Sequence, residues 1–561
     1  MKCIKFIAVV MLAGLVGCSD LDLNPLSESS TSTFYSNQKE LELAVNDLYR
    51  TGFFGNDDEL YTDNYWHRAQ GGNAVTYGTL NADDGAVLNF WNNAYKQIAR
   101  VNSFLANKDR AKNNTPANIM TRLEAEARFV RAYQYSRLIT HFGDVPFLKD
   151  QVSLEESYKL NRASKDEILQ FIFSELDWAA ENLPATYGSG ELRRFSKGAA
   201  LAIKARTALY MDKWAEARDA AKAVMDLAGT GVYALHPSYR DLFLTAAETS
   251  KEIIISVPRS QAQGVFTETA AVKDQISRNA TGFGAQIPTW ELMDSYEATD
   301  GLPIDESPLY NPRRPFANRD PRLAASIVEI GSTWLGFRYQ PHPDTLRVKN
   351  YKTGQLVNNL DSRAVATFAS YTGLLWKKGV DLTWADRLVE DNDQIILRYA
   401  EMLLTYAEAK IELGEIDAAA LNALNQVRAR AYSVNVNQTD KYPAVTTTDK
   451  NGLRTIIKRE RRVEFAKEGL RYMDLIRWGI AEKALTKPVV GLPDPNKQDR
   501  TKWPFPGVPT IDEDGIPDYS ALLSDVKVLA IRNFDKTKQY LWPIPATERR
   551  VNTNLTQNTG Y

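Results

Sequence analysis

The sequence predicts a mostly helical protein: a helical body with tetratricopeptide-like hairpins, plus an irregular, loop-rich region with short strands. Three observations carry this prediction. Apolar residues recur at helical spacing over about 38–50, 87–107, 117–141, 164–182, 196–210 and 213–227, and again over 394–413, 417–432 and 452–484. Two of the helix pairs are joined by tight turns and are rich in alanine or small aliphatic residues. Between about 230 and 390, Gly, Pro, Asn and aromatic residues are frequent and long periodic runs are absent.

The first element is a targeting signal at 1–17. Lys2 and Lys5 precede an apolar run from Phe6 to Val16, which suits a signal-peptide core and is too short to cross a hydrocarbon layer of about 30 Å. The run ends Leu15-Val16-Gly17-Cys18, the lipobox pattern of bacterial lipoproteins, so Cys18 is expected to carry lipid. One acyl chain binds a membrane marginally, whereas two or more anchor stably. A polar, Ser/Thr-rich tether at 18–33 opens with Asp20 and Asp22, and a single domain is expected over 34–561. Cys3 is the only other cysteine and falls within the signal, so the cleaved body has no disulfide and depends on core burial. No later segment has about 18 consecutive apolar residues, which leaves the lipid as the expected membrane attachment. A net charge of −2 argues against a nucleic-acid partner.

In the first hairpin, Ser196–Met211 and Trp214–Leu227 are joined by Asp212-Lys213. Their faces carry Ala199, Ala202, Ala205 and Ala208, then Ala217, Ala220 and Ala221. In the second, Ile396, Ala400, Leu403, Ala407 and Ile411 form one stripe. Gly414 suits a left-handed cap, Asp417 caps the next helix, and Leu421, Leu424, Val427 and Ala431 continue the stripe. Stacked pairs of this kind are similar to tetratricopeptide repeats; a generic helical bundle is the alternative. Strands are expected at Glu252–Val257 and Leu323–Ile330, and the tail from about 485 reads as Pro-rich and irregular. Glu460, Arg461, Arg462, Glu464, Glu468 and Arg471 recur at spacings of three and four, which predicts ion pairs between turns of one helix; Arg398 and Glu401 are placed alike. Trp478 and Tyr472 are expected in the core, with Trp542 as a plug from the tail.

No catalytic residue, metal ligand or cofactor is expected. His67, His141, His236 and His342 do not form a His-x-x-x-His pair, and there is no nucleophile elbow, Walker loop or dinucleotide fingerprint. Asp512-Glu513-Asp514-Gly515 is a fragment of a calcium loop that departs from the pattern at Thr510 and Ala521, so an acidic turn is expected there. A glycosidase carboxylate pair is defined by separation in space and is not readable from sequence.

A saccharide site needs flat apolar faces flanked by planar polar groups. The densest such mixture is Tyr61 to Arg68, followed by Gln70, Asn73, Tyr77, Asn81 and Asp83; it is too polar for core, which predicts a solvent-facing loop. Trp66 is the expected stacking platform, with Tyr65, Arg68, Tyr77 and Asp83 beside it. A second candidate region holds Phe266, Arg278, Phe283, Trp290, Trp334, Trp376 and Trp384. Within it, Trp290 reads as buried and Trp334 as exposed, and Arg278 and Phe283 are the favoured ligand residues.

Several separated blocks then resemble the SusD/RagB family of Bacteroidetes surface lipoproteins. They are Glu40-Leu41 with Ala44–Tyr49, Ala125–Phe129 running to His141–Pro146, Arg319–Leu323, Arg398–Glu401 with Tyr406–Ala409, Glu460–Arg462 and Glu464 with Glu468–Tyr472 and Arg477-Trp478, and Trp542–Pro545 with Gln557–Tyr561. The resemblance covers essentially the whole mature chain. It implies a helical fold with tetratricopeptide-like repeats and capture of a glycan, or in some relatives a peptide, without catalysis; a surface glycoside hydrolase is disfavoured by the resemblance alone. It also implies a SusC-like TonB-dependent outer-membrane barrel as partner, surface export signalled by Asp20 and Asp22, and a ligand face that includes the region after Thr62-Asp63.

Overall fold

The computed structural model describes residues 34–54, 58–493 and 499–561. The signal, Cys18 and the tether lie outside these residues. The helices follow the predicted spans closely: α1 (Gln38–Asn46), α2 (Gly85–Asn107), α3 (Ala117–Phe142), α4 (Lys165–Asn182), α5 (Lys197–Tyr210) and α6 (Trp214–Gly229). Side-chain caps set the starts of α1, α2, α4 and α5. Asp84 accepts from the Ala86 N–H at 2.8 Å, and Ser196 accepts from the Ala199 N–H at 3.2 Å.

From α2 to α6 each helix packs on the next, and α6 then packs on α8 (Tyr399–Leu413), which leads to α9 (Ala418–Ala431) and α10 (Lys450–Glu464). The loop-rich region is therefore an insertion between two neighbouring members of one helical stack. Close approach depends on alanine: Ala199, Ala202, Ala205, Ala208, Ala217 and Ala221 are fully buried. Gly414 closes α8 at φ 74°, and Asp417 caps α9 through the Ala420 N–H at 2.9 Å, as the sequence predicts.

Short antiparallel strand pairs tie the insertion together. Strand β2 (Ile253–Val257) pairs with β4 (Gln394–Arg398) and joins the two ends of the insertion; β1 (Tyr65–His67) pairs with β3 (Gln286–Pro288), Trp66 opposite Ile287. Two further apolar centres join the insertion to other parts of the chain, one around Trp290, Tyr296, Trp376 and Phe505 and one around Trp66, Ile276, Trp334 and Trp384.

Four expectations are corrected. Leu323–Ile330 is not a strand: Asp320 accepts from the Arg322 N–H at 2.8 Å and Pro321 presets the first turn, so Pro321–Ser326 forms helix α7. The helix expected over 394–413 begins as β4, because its first residues complete the pair with β2. The span 452–484 is broken after Glu464, where Lys467 (φ 62°) and Gly469 (φ 74°) turn the chain before α11 (Arg471–Arg477). The tail is not wholly irregular, since β5 (Pro488–Pro493) pairs with β6 (Val526–Ile531). Trp542 is the expected plug, buried and donating its indole N–H to the Tyr472 hydroxyl at 2.8 Å.

The charged residues of α10 also behave otherwise than predicted. They pair across the fold rather than along the helix. Glu464 is fully buried and meets Arg322 at 2.9 Å, Arg398 at 2.7 Å and Arg430, joining α7, β4 and α9. Glu460 meets Arg322 and Arg428, Arg461 meets Asp474, and Arg462 and Arg471 share Asp63. Arg398 turns to Glu252, Glu464 and Glu468, while Glu401 takes Arg206. This buried network locks the helical stack to the insertion. The acidic turn at Asp512–Asp514 surrounds an ammonium: Lys483 Nζ lies 3.0, 2.9 and 2.7 Å from its three carboxylates.

Candidate ligand-binding face

The β1–β3 pair brings the two predicted ligand segments together. Trp66 enters the seam with its ring buried, 5% exposed, among Val272, Ile276 and Ile287. A stacking platform must offer a face to its ligand and this ring offers none, so Trp66 supports the loop from beneath. The same correction holds for most of Tyr61–Arg68. Asp63 is held between Arg462 and Arg471, and Asn64 bonds Arg462 and Glu59, so the polar residues there serve the core network.

Beyond the strand the chain turns outward. His67 Nδ1 accepts from the Ala69 and Gln70 N–H groups at 3.2 and 3.0 Å, and its Nε2 faces Asp274 at 3.7 Å. The turn is closed by Gly71 and Gly72. A Cβ on Gly72 would meet the Tyr77 ring at 2.9 Å and Thr76 Oγ1 at 2.6 Å, which reserves the position for glycine. Tyr77 is 36% exposed and its hydroxyl accepts from the Gly72 N–H at 2.8 Å. Tyr65 is half-buried.

Arg68 is the residue on which the segments converge. Its backbone N–H donates to Ala285 O at 2.8 Å, and its guanidinium reaches Phe283 O at 3.4 Å. The guanidinium lies 5.5 Å from the ring centre of Phe368, and Lys273 Nζ lies 5.6 Å from that of Phe283. Both rings face solvent, Phe283 at 41% exposure and Phe368 at 58%. Burial and then the like charge of Arg278 push the Arg68 guanidinium below the ordinary arginine range. The loops are stitched from below. The Arg278 N–H donates to Asp361 at 2.8 Å, Asn279 donates to Asn358 O at 2.8 Å, and the Asp361 N–H donates to Asn279 at 3.2 Å. Asp361 is buried, and burial pushes its carboxyl up to about 6. At the far side Arg363 stacks 4.2 Å from the ring centre of Tyr371.

Of the sequence-predicted residues, Arg68, Arg278 and Phe283 thus share one face. Asp83 does not join them; it is exposed at the start of α2, 3.7 Å from Arg550 of the tail. Trp334, expected to be exposed, is 3% exposed, because it inserts into the centre that holds Trp66. Trp290 is fully buried, as predicted. Sequence reading passed over Phe368, Tyr371, Arg363 and Lys273. The available signal was an aromatic pair in the small-residue run Ala364–Tyr371, beside an arginine.

A second, polar cleft of about 490 Å³ lies between Arg259, Gln275, Lys378 and Glu468. Its charges satisfy one another: Arg259 pairs with Glu390 at 2.6 Å and Lys378 with Glu468 at 2.5 Å.

A profile of the SusD family matches residues 251–561, and one described as starch-binding, associating with the outer membrane, matches 23–209. The chain belongs to the SusD family. It is 25% identical to SusD-like protein P2 of Formosa agariphila over the whole of both chains, and 23% identical to a SusD-like protein of Bacteroides ovatus over 82% of this chain and 80% of that one. Among solved structures, a SusD-like carbohydrate-binding protein of Bacteroides fragilis superposes with TM-score 0.78 at 29% identity, over 93% of this chain and 100% of that one. A laminarin-binding SusD-like protein shares the fold at TM-score 0.61 and 20% identity, over 94% and 100%. The mostly helical class with its repeat-like hairpins is that of SusD-like structures. Among the described residues no helix is long and apolar enough to cross a membrane.

Proposed function

We propose that this chain is a cell-surface, lipid-anchored glycan-binding protein that captures oligosaccharide and passes it to a SusC-like TonB-dependent barrel without transforming it. The observation that carries the reading is the pair of exposed rings, Phe283 and Phe368, held beside Arg68 on a seam braced by β1 and β3. Apolar rings stack on sugar faces, and guanidinium forks bond hydroxyls in pairs. The carbohydrate-binding description of the Bacteroides fragilis relative supports the same ligand class. Two carboxyls lie in this neighbourhood, Asp274 near His67 and the buried Asp361 beneath the Arg278 backbone, and both are engaged by the loops they hold. Lipidation at Cys18 and surface export directed by Asp20 and Asp22 complete the proposal.

Affinity electrophoresis against a glycan panel and peptide mixtures tests the ligand class; retention of peptides alone would reject glycan capture. Release of reducing ends during incubation would reject a binding-only role. Protease shaving of intact cells tests location, and a protected body would exclude the outer surface.

A further inference from the structure

The cations around Arg68 are partnered differently from those of the buried core network. In the core network Arg322, Arg398, Arg428, Arg430, Arg461 and Arg477 each meet a carboxylate. Arg68 and Lys273 lie against the exposed rings, Arg278 lies near Arg68, and Arg363 lies over Tyr371; among the described residues none of the four has a carboxylate partner at ion-pair distance. Arg68 meets a carbonyl and an aromatic face, and Lys273 and Arg363 meet aromatic faces. Arg68 and Arg278 lie near enough to oppose each other's charge, and the Asp274 carboxylate offsets that effect at Arg68 only in part. The chain as a whole carries a formal net charge of −2, so this positive field is local rather than a general property. A concentration of unpaired cations beside stacking surfaces is unfavourable in the free protein, and an anion placed between them relieves it.

Building on the glycan reading above, we propose that the saccharide bound on this face is anionic, carrying a ring carboxylate or a sulfate ester that docks between Arg68 and Arg278. Phe283 and Phe368 receive the apolar faces of adjacent sugar rings, and Lys273 and Arg363 extend the positive strip to further acidic units. Either anionic group is an oxygen acceptor that a guanidinium fork can bond in pairs.

Isothermal titration of the mature chain tests this with four probes: oligogalacturonate for the carboxylate, carrageenan oligosaccharides for the sulfate, and laminarin and malto-oligosaccharides as neutral references. The expected result is saturable binding of at least one acidic probe, with the neutral probes weaker by at least about tenfold. Arg68→Gln and Arg278→Gln are each expected to lose about tenfold or more for the acidic probe, from a charge-assisted bond. Arg550→Gln, an exposed arginine on the tail, leaves the affinity unchanged. Circular dichroism checks folding, and Arg68→Lys, which keeps charge but not the fork, is expected to fall between wild type and Arg68→Gln. Neutral probes bound as tightly as the acidic ones, or acidic binding unchanged in Arg68→Gln, would overturn the anionic assignment and leave glycan capture standing. An equal loss in Arg550→Gln would also overturn it, as general attraction of polyanions. Acidic probes left unbound, while Arg68→Gln weakens association with an acidic protein surface, would do the same. Failure of all four probes would overturn the anionic assignment, and failure together with retention of peptides alone on affinity electrophoresis would remove the glycan reading itself.

Discussion

Replacing Glu464 with glutamine tests whether the buried ion network holds the two halves of the fold together. Three guanidinium groups, from Arg322, Arg398 and Arg430, converge on this one fully buried carboxylate. Burial alone would raise its pKa, and the charges of Arg430, Arg398 and Arg322 more than reverse that, holding the carboxyl well below the usual carboxylate range. Glutamine keeps the shape, removes the charge, and turns an N–H donor toward groups that are themselves donors. Arg322 and Arg398 retain other carboxylates, Asp320 and Glu468 among them, so the loss is not that of three isolated cations. Breaking a buried pair in this way costs about 3–5 kcal/mol at pH 7. The sign with pH follows from the depressed folded value. The stabilisation is fully present above an unfolded value near 4.5 and is lost as pH falls below it. The gap between wild type and Glu464→Gln should therefore narrow by about 1.4 kcal/mol per pH unit below that point. Urea denaturation at pH 7 and at steps below pH 4.5 measures both quantities. A gap under about 1 kcal/mol at pH 7, or one that stays constant on acidification, would refute the reasoning.

Other outcomes follow from the same structure. Trp66→Ala should lower stability by about 3–5 kcal/mol, because a buried ring leaves a cavity; a variant that melts like wild type but no longer binds glycan would restore Trp66 as a platform. Asp294 is fully buried, takes a hydrogen bond from Tyr519 at 2.8 Å, and is pushed up to about 7 by burial. A raised carboxyl costs stability as pH climbs from its unfolded value near 3.8 toward 7. Asp294→Asn should therefore gain about 2–4 kcal/mol at pH 8 and little at pH 4; urea midpoints that fall at pH 8 would reject this. Gly72→Ala should disturb the turn carrying Tyr77, since its Cβ lies 2.9 Å from that ring; an amide spectrum unchanged around residues 71–77 would count against it.

How much of this was readable in advance divides along physical lines. The helices were legible because their apolar spacing and their caps are local; Asp417, Gly414 and the alanine faces act where the sequence shows them. The break after Glu464 was not, because residues 465–470 keep a helical charge pattern and the turn rests on backbone angles at Lys467 and Gly469. Spacings of three and four in α10 suggested pairing along the helix, but burial placed every candidate nearer a carboxylate or guanidinium from another element. The candidate face was half legible. Arg68, Arg278 and Phe283 were readable as residue types in polar loops, yet their meeting depends on the β1–β3 register, which joins segments more than 200 residues apart. Trp66 misled because the polar neighbours that suggest solvent, Asp63 and Asn64, are satisfied by arginines near the other end of the chain.

The claim that the Phe283–Phe368 seam is where glycan is held is tested most directly by titrating the mature chain and a Phe283→Ala/Phe368→Ala double variant with a glycan that the wild type retains. Both rings are largely exposed and contribute little to the core, so the variant should melt within a few degrees of wild type. Stacking on a planar ligand is worth about 1–3 kcal/mol per ring, so affinity should fall by roughly tenfold or more. Saturable binding of undiminished strength in the folded double variant would contradict the account and move the site elsewhere on the molecule.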